Sequence, residues 1–124
     1  MMSRRATTAF ALDVIAIIVF VAIGRRSHHE AGGAVVGTAR VAAPFLIAAV
    51  LGWLAARAWR DPFGISTGAI VWLVTVIAGM FLRHFAFDRG TATAFVIVAT
   101  ATLGAFIMGW RGIARWLLER SAKV

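Results

Sequence analysis

Asp13 is the residue in this chain whose type and position most call for a chemical explanation. It is the single ionisable group in the apolar run TAFALDVIAIIVFVAIG of residues 8–24. It lies eight residues after Arg5 and twelve before Arg25. A helical rise of ~1.5 Å per residue would put it near the middle of a bilayer. A carboxylate at that depth costs about 2.5–3.5 kcal/mol on insertion scales, so it must face a helix bundle or a water-filled cavity. Two readings follow. In one, Asp13 is a protonatable site for a proton or cation, as proton-coupled carriers use, with Thr75 and Thr100 at similar depth on later spans to complete it. In the other it is a structural carboxylate that those same threonines satisfy. Ala9, Ala16 and Gly24 on its helix are small, so another helix can approach. Arg40 should lie at the far boundary, ~15 Å above Asp13, which makes it a poor partner.

A second polar group follows from connectivity. If the chain crosses a bilayer four times, the first and third loops open on one side. Arg25, Arg26, His28, His29 and Glu30 then share a face with Arg83, His84, Asp88 and Arg89. Guanidinium forks suit phosphate and carboxylate, so Arg25, Arg26 and Arg83 could make an anion site. The imidazoles could sense pH or take a metal or haem. Adjacent His28 and His29 do not have a familiar ligand spacing, however, and the arginines disfavour a cation. No cofactor is therefore implied. The plainer reading places these side chains among lipid headgroups.

The elements that must position these residues are read from the apolar runs. Hydrophobic residues make up 61% of the 124 and charged residues 15%, against roughly 45–50% and 25% in a soluble domain. The expected fold is an all-α integral membrane protein, a single domain over residues 1–124. Four transmembrane helices are expected over about 8–24, 36–59, 65–82 and 91–110, with an interfacial amphipathic helix in the tail 111–124. In that tail Ile113, Trp116 and Leu117 recur at helical spacing beside Arg111, Arg115 and Arg120. Pro44 predicts a bend or local break in the second span. A basic start before the first apolar run also fits a signal peptide, but Asp13 and the Arg25-Arg26 pair argue against cleavage.

The formal charge is +8. The basic residues sit at the ends of apolar runs, so they read as anchors rather than as a nucleic-acid surface. An even number of spans puts both termini on one side. That side carries eight Lys and Arg against five on the other, which predicts cytoplasmic termini in the plasma membrane. The chain has no cysteine, which excludes disulfides and thiolate metal sites.

Small residues recur at four-residue spacing at Ala101, Ala105 and Gly109, and Gly64 and Gly68 form a GxxxG at the start of the third span. Ala48 and Gly52 repeat the pattern on the second. Such stripes let helices pack closely, within one chain or between two. Trp53 and Trp72 read as packing residues deep in their spans. The chain has no Walker loop, GxSxG or HExxH, so no enzyme class is supported.

Several stretches carry a resemblance. They are Asp13 with the run Phe20-Val21-Ala22-Ile23-Gly24-Arg25-Arg26-Ser27-His28-His29-Glu30, then Trp72, Thr75-Val76, Gly79-Met80 and Leu82-Arg83. Phe95 to Thr100, Leu103-Gly104 and Gly109-Trp110-Arg111 complete the set. Over nearly the whole chain this resembles the small four-span family called domain of unknown function 3054, known from actinobacteria and haloarchaea. The resemblance implies an integral membrane protein and supplies no activity or catalytic residues. A weaker likeness, of size and of one acid in the first span, is to small multidrug exporters.

The expectation is therefore a small proton- or ion-linked transporter or channel working as an oligomer. The alternative is a non-catalytic component that packs against a larger membrane complex. The partners expected are the lipid bilayer, a second copy of the chain or such a complex, and no nucleic acid.

Overall fold

A computed structural model describes residues 3–28, 34–86 and 93–122, with backbone only at 25–28, 34 and 122. Four long helices follow one another: α1 Arg4–His28, α2 Ala34–Ala56, α3 Ile65–Phe85 and α4 Thr93–Ala122. All four are long and apolar enough to cross a membrane, as expected of a multi-pass membrane protein. Each packs against its neighbour in sequence, and α4 closes the bundle against α1.

Local chemistry accounts for the helix ends. The Ser3 hydroxyl accepts the Ala6 N–H at 3.1 Å and caps α1, satisfying one of the donors a helix start leaves open. At the other end of the second span, Arg57 takes a left-handed conformation, φ 50°, and stops α2 before the expected residue 59. A short 3₁₀ turn, Ala58–Arg60, then leads into α3. Gly64 belongs to this turn rather than to helix packing. A Cβ there would fall on the Asp61 carboxylate.

One face of each helix is buried. On α1 it is Ala6, Ala9, Asp13, Ala16, Ile17 and Phe20, and on α2 Val41, Phe45, Ala48, Ala49 and Trp53. The spacing of three and four is the helical period. Outward faces carry Ile15, Ile23, Leu54, Ile77, Phe81 and Ile97, all exposed. Large apolar groups pointing outward from all four helices suit a chain solvated by lipid.

Backbones approach closely where side chains are absent. A Cβ on Gly52 would lie 3.2 Å from the Val71 backbone, so α2 and α3 pack tightly. The Phe45 ring occupies the space above Gly79, and the Trp72 ring the space above Gly104. Trp72 Nε1 also donates to the Thr100 carbonyl at 2.9 Å, tying α3 to α4.

Two expectations change here. Of the bend or local break expected at Pro44, the break does not occur: α2 runs through it as one helix. Nor is the tail a separate surface helix: α4 continues for 30 residues to Ala122, about 45 Å at the α-helical rise. The expected boundary at Trp110 falls mid-helix because nothing in GWRGIARW breaks a helix strongly enough. Ala99, Leu103, Ile107 and Arg111 instead form one continuous buried ladder.

Candidate functional site: a carboxylate held by four donors

α1 presents Asp13 to the bundle from the face that also carries Ala9, Ala16 and Ile17. α2 contributes Trp53 three residues before its end, and α4 contributes Trp110 and Arg111. The Asp13 and Arg111 side chains are both fully buried.

Arg111 grips the carboxylate as a fork. Its Nη1 donates to Asp13 Oδ1 at 2.8 Å and its Nη2 to Oδ2 at 2.9 Å. Each carboxylate oxygen also takes an indole N–H. Trp53 Nε1 donates to Oδ2 at 2.8 Å, and Trp110 Nε1 to Oδ1 at 2.9 Å. A carboxylate offers about four lone-pair sites, so all are used.

The guanidinium is anchored beyond the pair. Its Nε donates to the Pro62 carbonyl at 2.9 Å, and Nη1 reaches Ile107 carbonyl at 3.2 Å. The turn between α2 and α3 is thereby joined to α1 and α4. A Cβ on Gly68 would meet Arg111 Cδ at 2.6 Å, so glycine at that position on α3 makes room for the arginine. Aromatic rings pack the perimeter: Phe10 stands edge-on to Trp53 at 5.3 Å and Phe63 to Trp110 at 5.5 Å. The Arg111 guanidinium also lies 4.3 Å from the Trp110 ring centroid.

The threonines expected beside Asp13 do not join it. The Thr100 hydroxyl donates to the Val96 carbonyl of its own helix at 2.7 Å. Thr75 is fully buried, and its hydroxyl has no hydrogen-bond partner among the described residues. The groups that bond the Asp13 carboxylate are instead Trp53, Trp110 and Arg111. The physical reason is that a guanidinium and two indoles supply four convergent donors, which two hydroxyls cannot. The level also shifts. Trp53 near the end of α2, and Arg111, whose Nε reaches the Pro62 carbonyl, place the carboxylate toward the end of the bundle that carries the turn between α2 and α3.

The expected cluster at the other end is described only in part. His29 and Glu30 lie outside the described residues, as do the side chains of Arg25, Arg26 and His28. Arg83 sits 4.1 Å from the Phe95 ring centroid. His84 packs edge-on against Phe85 and lines a shallow apolar groove of about 390 Å³ with Met80, Phe81 and Val96. Arg40 is exposed at the start of α2 and, as expected, makes no bond to Asp13.

Of the small-residue positions, Gly68 serves packing between α3 and α4. Ala101 and Ala105 point outward, and a Cβ on Gly109 would meet nothing within 4 Å. That stripe meets no other helix among the described residues.

The sequence reading missed Arg111, assigned to the surface tail, and both indoles, Trp53 having been read as packing. A signal was present. Continuing the four-residue ladder from Ala99 through Leu103 and Ile107 reaches Arg111, a cation on the buried face of a chain with one intramembrane acid to pair.

No curated protein and no solved structure matches the chain. A family model does match residues 10–114, a stretch that includes all four residues of the site. The chain belongs to that family, described as "Protein of unknown function (DUF3054)".

Proposed function

We propose that this protein is a small ion- or proton-linked membrane transporter or channel that works as an oligomer, with Asp13 and Arg111 as its working polar site. The observation that supports this reading is the fully buried Asp13–Arg111 pair inside a bundle of bilayer-length helices. Such a pair is a poor way to stabilise a bundle, because an apolar replacement of similar volume is often as stable or better. Small residues already bring these helices together. A charged pair in this setting is better explained as a two-state element, closed when the carboxylate is held by Arg111 and open when a proton or an ion takes over one partner. The excess of arginine at the end bearing the termini supports a cytoplasmic location for that end in the plasma membrane.

The test is ion flux into proteoliposomes under an imposed voltage, read with a pH-sensitive dye. Wild type should conduct or couple ions, and Asp13→Asn at matched reconstitution should lose that flux. Flux absent from wild type across a panel of small ions would remove the reading.

One observation favours a second reading. All the carboxylate's lone pairs are satisfied within the chain, as they would be in a static clamp between the first and last helices. The protein would then be a non-catalytic component of a larger membrane assembly, with the outward Ala101, Ala105 and Gly109 stripe as its contact. Cross-linking from that stripe to another membrane protein, with no flux, would favour it.

A further inference from the structure

The donors around Asp13 have a geometry that does not depend on the carboxylate being part of the chain. Two guanidinium N–H groups and two indole N–H groups converge on one planar pair of oxygens, each oxygen taking one of each kind. None of the four donors comes from the helix that carries the carboxylate. Trp53 is on α2, and Trp110 and Arg111 are on α4. The donor set is therefore a preformed receptor for a small planar anion, with a net charge of +1 when the anion is removed.

We propose that these four donors are a binding site for a small monocarboxylate, which Asp13 occupies as a built-in stand-in. This deepens the transport reading and rests on it for its physiological role. A free carboxylate such as formate presents the same two oxygens to the same fork. When the free acid enters, its proton passes to the displaced Asp13 carboxylate and its anion takes the fork. The charge around Arg111 stays balanced and one proton accompanies one anion. Return of Asp13 releases both.

The surroundings favour an anion over a cation. At the end of the bundle nearest the site, Arg4, Arg5, Arg57, Arg60, Arg115 and Arg120 are all exposed. The described carboxylates exposed at that end are Asp61 and Glu119. Such an excess concentrates anions at the surface and repels cations. The rings between that surface and the carboxylate, Phe10, Phe63 and Trp110, are only partly buried. Arg5 lies 5.6 Å from the Phe63 ring centroid at this rim. Aromatic side chains thus form this rim of the site.

The test is chemical rescue of Asp13→Ala, which removes the tethered carboxylate and leaves its four donors. Thermal unfolding of the purified variant in nanodiscs is followed with sodium formate and, at equal ionic strength, sodium chloride. Millimolar formate should raise the midpoint by about 5 °C, as a ligand that binds only the folded state does. Chloride, a sphere that cannot match two oxygens, should do much less. Wild type should show a smaller rise, since formate must first displace the tethered carboxylate there, and Asp13→Ala/Arg111→Gln should lose the response. A wild type with no response at any concentration limits the site to the variant and overturns the proposal.

A folded Asp13→Ala that ignores formate, or a double variant that still responds, overturns the proposal. Should Asp13→Ala be unstable, it is prepared with formate present throughout, alongside Asp13→Gly with acetate. Recovery only with the carboxylate supports the site, and failure of both variants to fold with it overturns the site. The outcome is separable from the flux assay. Rescue without wild-type flux keeps the anion site and removes transport, whereas flux without rescue does the reverse.

Discussion

Arg111 and Asp13, 98 residues apart in the chain, meet through two parallel bonds of 2.8 and 2.9 Å with neither side chain exposed. The pair joins the first helix to the last and, through Pro62, to the turn between the middle two. Breaking one side of a buried pair leaves an uncompensated charge, which costs about 3–5 kcal/mol. Arg111→Gln should therefore destabilise the protein by about that amount in detergent unfolding. Arg111→Lys should lose part of it, since an ammonium lacks the fork. The double variant Asp13→Asn/Arg111→Gln should recover more than half of the single loss. Simple additivity of the two single losses would rule out direct coupling.

Each indole supplies one bond to the carboxylate as well as packing. Trp53→Phe and Trp110→Phe keep most of the ring contact and remove the N–H. Each should lower stability by about 1–3 kcal/mol, the penalty for an unmet bond to a buried charged group. Trp72→Phe, which loses a bond to the neutral Thr100 carbonyl, should sit at the low end of that range. Equal losses for all three would show that the charge adds nothing.

Glycines separate into those that receive a side chain and those that do not. Gly68→Ala forces Arg111 and Met108 to move, and Gly79→Ala meets the Phe45 ring at 2.5 Å. Both should destabilise by about 1–3 kcal/mol through overpacking. Gly109→Ala meets no atom of the described residues within 4 Å and, as a helix-interior glycine replaced by alanine, should raise monomer stability by about 0.5–1 kcal/mol. Denaturation curves of the three variants check the ordering.

If the protein pairs with a second copy, as the proposed function requires, the outward stripe on α4 is where that copy should sit. Because the chain has no cysteine, Ala105→Cys introduces a unique thiol. In membranes it should form a disulfide-linked dimer on mild oxidation, while Leu54→Cys on the exposed face of α2 should not. Gel mobility under non-reducing conditions reads this directly, and equal cross-linking at both positions would assign the dimer to random collision.

Thr75 buries a hydroxyl without a hydrogen-bond partner among the described residues. Thr75→Val keeps the shape and removes the unmet group, so stability should rise by about 1 kcal/mol. A loss instead would mean that the hydroxyl holds a water or an ion, which would return Thr75 to the site first expected for it.

The apolar runs and their basic flanks were enough to define four bilayer-length helices, and Asp13 stood out as the one acid that lipid would not tolerate alone. These features were legible because burial in a membrane is read from local composition, one helix at a time. The position of Gly52 in a four-residue repeat also pointed correctly to a close helix approach. The length of α4 was harder. Arg111, Arg115 and Arg120 looked like a surface charge pattern, and local sequence cannot tell a buried arginine from a snorkelling one.

What only the tertiary structure decided is the partner of Asp13. Thr75, Thr100 and Arg40 were judged by depth along single helices, whereas the four donors depend on which faces meet. Trp53, Trp110 and Arg111 converge only because α2 and α4 both flank α1 and Gly68 leaves room for the guanidinium. The need for a partner follows from the low dielectric of the membrane and is written into the sequence. The choice of partner is set by the rotation and stagger of whole helices, which no single segment encodes.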